Sequence, residues 1–111
     1  MNNKEFDRLM EAQLKRCIDV LLDKAGQYAE DGDRLHNFRV AAALENRSVP
    51  DALGGMMAKH TISIYDMVRD PNWDEFPLDL WEEKITDHLN YLFLLNAAVR
   101  EVYETVPPKE K

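Results

Sequence analysis

The sequence predicts an all-α fold, a compact four-helix bundle-like domain, on three observations. Apolar residues recur at three- and four-residue spacing through four stretches of the chain. Each stretch is closed by turn-forming residues, and alternation of apolar with polar residues persists nowhere, so no strand is expected. The 111 residues suit one domain, 1–111, around one core.

The first helix starts at an Asn2 or Asn3 cap and carries Phe6, Met10, Leu14, Cys17, Leu21, Lys24 and Tyr28 as one stripe. Glu30-Asp-Gly-Asp33 breaks it, with Gly32 suited to a helix stop. A shorter helix over about 34–45 follows, carrying Leu35, Phe38, Ala42 and Ala43, with Asp33 as a good N-cap. Asn46-Arg-Ser is a turn, and Ser48-Val-Pro-Asp51 resembles a capping box with proline in the first turn. The third helix runs to about residue 69 with Leu53, Met57, His60, Ile64 and Met67 as its stripe. Gly54 and Gly55 weaken it and suggest close helix approach or a kink. Residues 70–77 hold two prolines and two aromatics and are read as a loop able to cover a cleft. The fourth helix spans about 78–104, ends at Pro107-Pro108, and leaves a tail, 106–111, expected to be mobile.

Net charge is −7 and the pI is near 4.9, which excludes electrostatically driven binding to nucleic acid or anionic membrane. A nucleotide is not excluded, because a bound metal reverses the local sign. The single cysteine, Cys17, allows no intramolecular disulfide and no thiolate zinc cluster, and is expected as a buried small side chain in a reducing cytoplasm. The polar, acidic N-terminus does not resemble a signal peptide, and no apolar run is long enough to span a bilayer.

The chemistry centres on Glu83 and Asp87. They lie one helical turn apart on one face, in register with Leu94 and Ala98, at the entrance of a strongly apolar helix. Two anionic groups aimed inward need a basic side chain or a divalent cation between them. Mg²⁺ favours such oxygens and often binds one or two carboxylates plus substrate phosphates. An exposed pair near a helix N-terminus is the alternative reading. Asn90, a turn beyond Asp87, could hold a water or a base edge. Lys24 could reach a phosphate beside Tyr28, or simply run its stem to the surface. Asp33, Arg34 and His36 place an acid, a cation and an imidazole within one turn, with Asn37 beside them and Phe38 as a stacking surface, or form an ordinary solvated turn capped by Asp33. Lys59 could neutralise a carboxylate or contact a phosphate, Asp66 could add an acid from a second helix, and His60 is more often a core histidine than a ligand. Trp73, Phe76 and Trp81 could stack on a base or merely pin the loop. No nucleophile elbow, P-loop or H-E-x-x-H occurs.

Taken together, Leu22-x-Lys24-x-x-x-Tyr28, Asp33-x-Leu-x-Asn-Phe, Lys59-His60 and Glu83-x-x-x-Asp87-x-x-x-Tyr91 resemble the MazG-like all-α nucleotide pyrophosphohydrolases and the small phage and bacterial helical proteins associated with nucleotide modification. The resemblance covers roughly residues 6–101 through short, degenerate motifs. It implies an oligomeric helical protein that holds Mg²⁺ with acids from two adjacent helices and cleaves nucleoside triphosphates to monophosphate and pyrophosphate. The family's second acidic motif maps onto Glu83 and Asp87. Its first, a Glu-Glu-x-x-Glu run, has no counterpart here, and the third helix offers only Asp66.

Three functions are therefore expected in order. The first is a Mg²⁺-dependent pyrophosphohydrolase-like activity on a (d)NTP, with Glu83 and Asp87 on the metal and Asp33, Asp66 or His60 orienting water. Lys24, Tyr28, His36, Asn37, Lys59 and Asn90 would contact substrate. The second is a non-catalytic, phage-type protein that binds or sequesters a nucleotide, and the third is an acidic protein-interaction module. The apolar stripes of the long helices favour a homodimer or higher homo-oligomer.

Overall fold

A computed structural model describes the backbone of residues 1–28 and 32–105, and their side chains apart from those of 24–28. Four helices appear in the order α1 (Asn3–Tyr28), α2 (His36–Glu45), α3 (Val49–Arg69) and α4 (Leu78–Thr105), with a 3₁₀ turn at Trp73–Glu75 between the last two. Among the described residues there is no strand, and the fold is an all-α bundle. The predicted mobile tail, 106–111, lies outside the described residues.

The local signals that start and stop these helices are real. Asn2 Oδ1 accepts from the Glu5 amide at 2.9 Å while Glu5 Oε2 accepts from the Asn2 amide at 3.2 Å, a reciprocal cap for α1. Ser48 Oγ accepts from the Asp51 amide at 3.1 Å and opens α3, with Pro50 in its first turn. Asn46 adopts a left-handed backbone (φ 54°) that closes α2, and Gly32 has φ +80° in the turn before it. Helix α2 starts two residues later than the sequence suggests. Asp33 still serves the turn, accepting from the Leu35 amide at 3.0 Å, but it sits before the helix rather than at its cap.

Helices α2, α3 and α4 form the body. Leu35, Phe38, Leu53 and Ala98 meet in its core, with Met56, Tyr91, Leu94 and Leu95 packed around them. The two glycines do not mark a close helix crossing. A side chain at Gly54 would meet open space, and one at Gly55 would meet only the Arg47 guanidinium. The loop over 70–77 is held against the start of α4. Trp81 Nε1 donates to the Trp73 carbonyl at 3.3 Å and Phe76 lies edge-on to Trp81, so its aromatics pin it to the start of α4.

Helix α1 packs chiefly on α4, and Arg34 donates to its Leu21 carbonyl at 2.9 Å. Gln13 Nε2 donates to Thr86 Oγ1 at 2.9 Å, Arg16 pairs with Glu82 at 3.2 Å, and Cys17 is wholly buried between them. The expected core stripe of α1 is therefore only partly a core. Phe6, Met10 and Leu14, on the same stripe as Cys17, are about half exposed because no element among the described residues covers them.

Candidate functional site

The crossing of α1 and α4 leaves a cleft with two neighbouring parts that share Val20 and Asp87. The outer part is an open groove of about 330 Å³ between Arg16, Asp19 and Val20 of α1 and Asp79, Glu82, Glu83, Thr86 and Asp87 of α4. The inner part is a small cavity of about 20 Å³ bounded by Val20, Leu21, Phe38, Asp87, Asn90, Tyr91 and Leu94. That volume admits about one water molecule.

Helical geometry explains the division. On α4, Thr86, Asn90 and Leu94 follow one another at four-residue spacing. Thr86 and Asn90 are buried while Glu83 is exposed. The line of Glu83 and Asp87 is thus turned away from the centre of the buried face, contrary to the expected inward aim of the pair. Glu83 borders the groove at its rim, and half-buried Asp87 faces both groove and cavity.

Two features give this cleft chemical character. It is acidic: five carboxylates, those of Asp19, Asp79, Glu82, Glu83 and Asp87, border the groove beside the Arg16 guanidinium. Arg16 is engaged by Glu82, and Asp19 is also paired with Lys15 at 2.8 Å. It is also incompletely satisfied. Asn90 is only 5% exposed, and neither Nδ2 nor Oδ1 has a hydrogen-bond partner among the described residues. A buried amide is almost always paired, so an orphan beside a cavity marks a place for a polar ligand atom or a water.

The oxygen-only donors suit a hard cation completed by water and phosphate oxygens. They do not make a protein-caged metal site. Among the described residues, no three Asp, Glu, His or Cys side chains are close enough to hold an ion together.

The other predicted residues are dispersed. His60 stacks on Tyr91 with ring centroids 4.7 Å apart, behind the cavity wall. Lys59 borders a different groove, with Glu45, Arg47 and Met56, and Asp66 is exposed on α3. Asp33 is bound up in an ion-pair clasp. Arg39 Nε meets its Oδ2 at 2.7 Å and Arg39 Nη1 meets Glu101 Oε1 at 2.6 Å. The hydrogen bond from Arg39 holds both carboxyls below their ordinary range. An acid so held is a poor proton acceptor. His36 begins α2 and Asn37 is exposed next to it, while their neighbour Phe38 lines the cavity. Lys24 and Tyr28 sit on the last turns of α1, and their side chains lie outside the described ones.

Sequence reasoning did not pick out Asp19 and Arg16. Lys15 and Asp19 at i, i+4 look like an ordinary exposed helix pair, and only the crossing of α1 over α4 turns Asp19 toward Glu83. Comparison with protein-family models, with curated proteins and with solved structures finds no match to this chain.

Proposed function

We propose that the α1–α4 cleft binds a nucleotide through a divalent cation, and that the protein is a Mg²⁺-dependent pyrophosphohydrolase-like enzyme acting on a (d)NTP. The observation that carries this reading is the buried, unpartnered Asn90 amide in the wall of a small cavity that shares Asp87 with a groove edged by Glu83 and, from the facing helix, Asp19. Glu83 and Asp87 are the side chains that would hold Mg²⁺, leaving its other positions to water and phosphate. When bound, the ion would offset the charge of the triphosphate, which an acidic groove repels on its own. Arg16, which borders this groove, would meet the phosphates, a role expected of Lys24 or Lys59; Lys59 borders a different groove. Asn90 would offer both a donor and an acceptor to the inner end of the ligand. Water adds to one phosphoryl group and the phosphoanhydride bond breaks, giving monophosphate and pyrophosphate. A nucleotide substrate places the activity in a cytoplasm.

A second reading, binding without turnover, is favoured by the absence of a three-ligand group among the described residues and by the engagement of Asp33 with Arg39. One experiment separates the two. Each NTP and dNTP is incubated with the protein, with Mg²⁺ and with EDTA, beside Glu83→Gln. Monophosphate formed only with Mg²⁺ and intact Glu83 supports the enzyme. Affinity that survives EDTA, with no product, supports the binder. No binding and no product in any arm removes both.

A further inference from the structure

Helix α1 carries an apolar face that the other described residues leave bare. Phe6 and Met10 lie eleven and seven residues from Cys17, hence within about 20° of it around the helix axis. Cys17 is 0% exposed, but Phe6 is 50% exposed and Met10 and Leu14 are each 46% exposed. Leu9 and Ile18 widen the same strip. One continuous stripe is thus core at the α4 crossing and surface beyond it.

The bare area is large. The chain exposes 8592 Å². A compact monomer of 12.9 kDa exposes about 6,300 Å². Granting residues 29–31 and 106–111 the full exposure of an unfolded chain, about 1,500 Å², still leaves an excess of about 800 Å². A standard interface buries about 800 Å² on each partner. The Cα radius of gyration tells the same story, 16.8 Å against about 13 Å for a compact chain of this length.

Charge narrows the occupant. The whole chain carries −7, and two such bodies repel. Residues 1–18 escape that balance, with Lys4, Arg8, Lys15 and Arg16 against Glu5, Asp7 and Glu11, as do residues 34–64. Two copies can approach through the stretch 1–18, where the apolar stripe lies, without opposing strongly acidic surfaces, and its mixed signs offer little to a strongly charged partner. We propose that a second copy of this chain covers the α1 face, forming a symmetric homodimer centred on Phe6, Met10 and Leu14. A self-complementary apolar stripe is what a two-fold interface requires. The proposal is independent of the nucleotide reading.

Sedimentation equilibrium of the full chain, from about 1 µM to about 100 µM, tests it. The expected mass is twice that of the 12.9 kDa chain. The Phe6→Glu, Met10→Glu double variant should dissociate at least about a hundredfold more readily with its far-ultraviolet helical signal retained, since each charge is buried twice in the dimer. Leu44→Glu, on an 83% exposed side chain of α2, should leave the mass unchanged. If the double variant loses helicity, copies labelled at Glu11→Cys carry the test, because the interface brings the two α1 helices together and mixed donor and acceptor copies should transfer energy. A monomeric wild type, a dimer indifferent to the double variant, or labelled copies that associate without energy transfer overturns the proposal.

Discussion

Replacing Asn90 by leucine should make this protein more stable and less able to bind its ligand. The two side chains have the same number of heavy atoms and the same branching, so the exchange removes polarity with little change of shape. Asn90 is 5% exposed, and neither polar atom of its amide has a partner among the described residues. Leaving a buried polar group unpaired costs about 1–3 kcal/mol. Leucine removes that cost and places two methyl groups against Val20, Leu21, Phe38, Tyr91 and Leu94. The expected gain is about 1–3 kcal/mol, which for a chain of this size raises Tm by about 4–12 °C. Calorimetry at fixed protein concentration measures it, fixed because assembly also shifts Tm.

The same variant should lose the rise in Tm that a bound nucleotide gives the wild type. The two shifts have opposite signs, so they cannot arise from general loosening of the fold. A lower Tm for Asn90→Leu would refute the reasoning. It would mean that water in the adjoining cavity satisfies the amide in solution and that Asn90 belongs to the fold instead of to a ligand.

The remaining predictions concern the frame that holds the cleft. Leu53 is 1% exposed at the centre of the body, so Leu53→Ala should cost about 2–5 kcal/mol in denaturant titration, through lost burial and the cavity left behind. The clasp of Arg39 on Asp33 and Glu101 lowers both carboxyls from ordinary values of 3.8 and 4.5. A depressed folded value stabilises at pH above the unfolded value and is lost as pH falls through the folded one. Stability measured against pH should therefore show a difference between wild type and Arg39→Met that is constant above about pH 5 and shrinks on further acidification. A difference that grows toward low pH would contradict the clasp.

How much of this was legible in the sequence depends on the range of each interaction. Helix number, the Asn2 and Ser48 caps and the break at Asn46 are set within a few residues, and they stand as read. The spacing of Glu83 and Asp87 correctly put both on one cleft. What failed was everything fixed by a second element. Asp33 looked free for chemistry because Glu101, which shares its arginine, lies 62 residues beyond Arg39. Lys59 and Asp66 looked available to Asp87, but rotation of α3 turns Lys59 to another groove and leaves Asp66 exposed. Periodicity showed that Phe6 and Met10 lie on an apolar face. It carried no information about what would cover that face.

Two departures from ordinary protein economy coincide at α1. Among the described residues the buried apolar core has eight members, three of them alanine, so little cohesion is spare. Even so, the α1–α4 crossing leaves an unpaired amide inside and an apolar stripe outside. Local rules are usually broken where function needs it, with the cost recovered elsewhere. Helix α1 supplies Arg16 and Asp19 to one side of the cleft and Phe6, Met10 and Leu14 to the bare face. A second copy that clamps the bare face would fix α1 against α4, and so fix the separation of Asp19 from Glu83 and Asp87. Ligand affinity and assembly are then linked through the position of one helix. Each would strengthen the other by whatever each contributes to holding α1 in place.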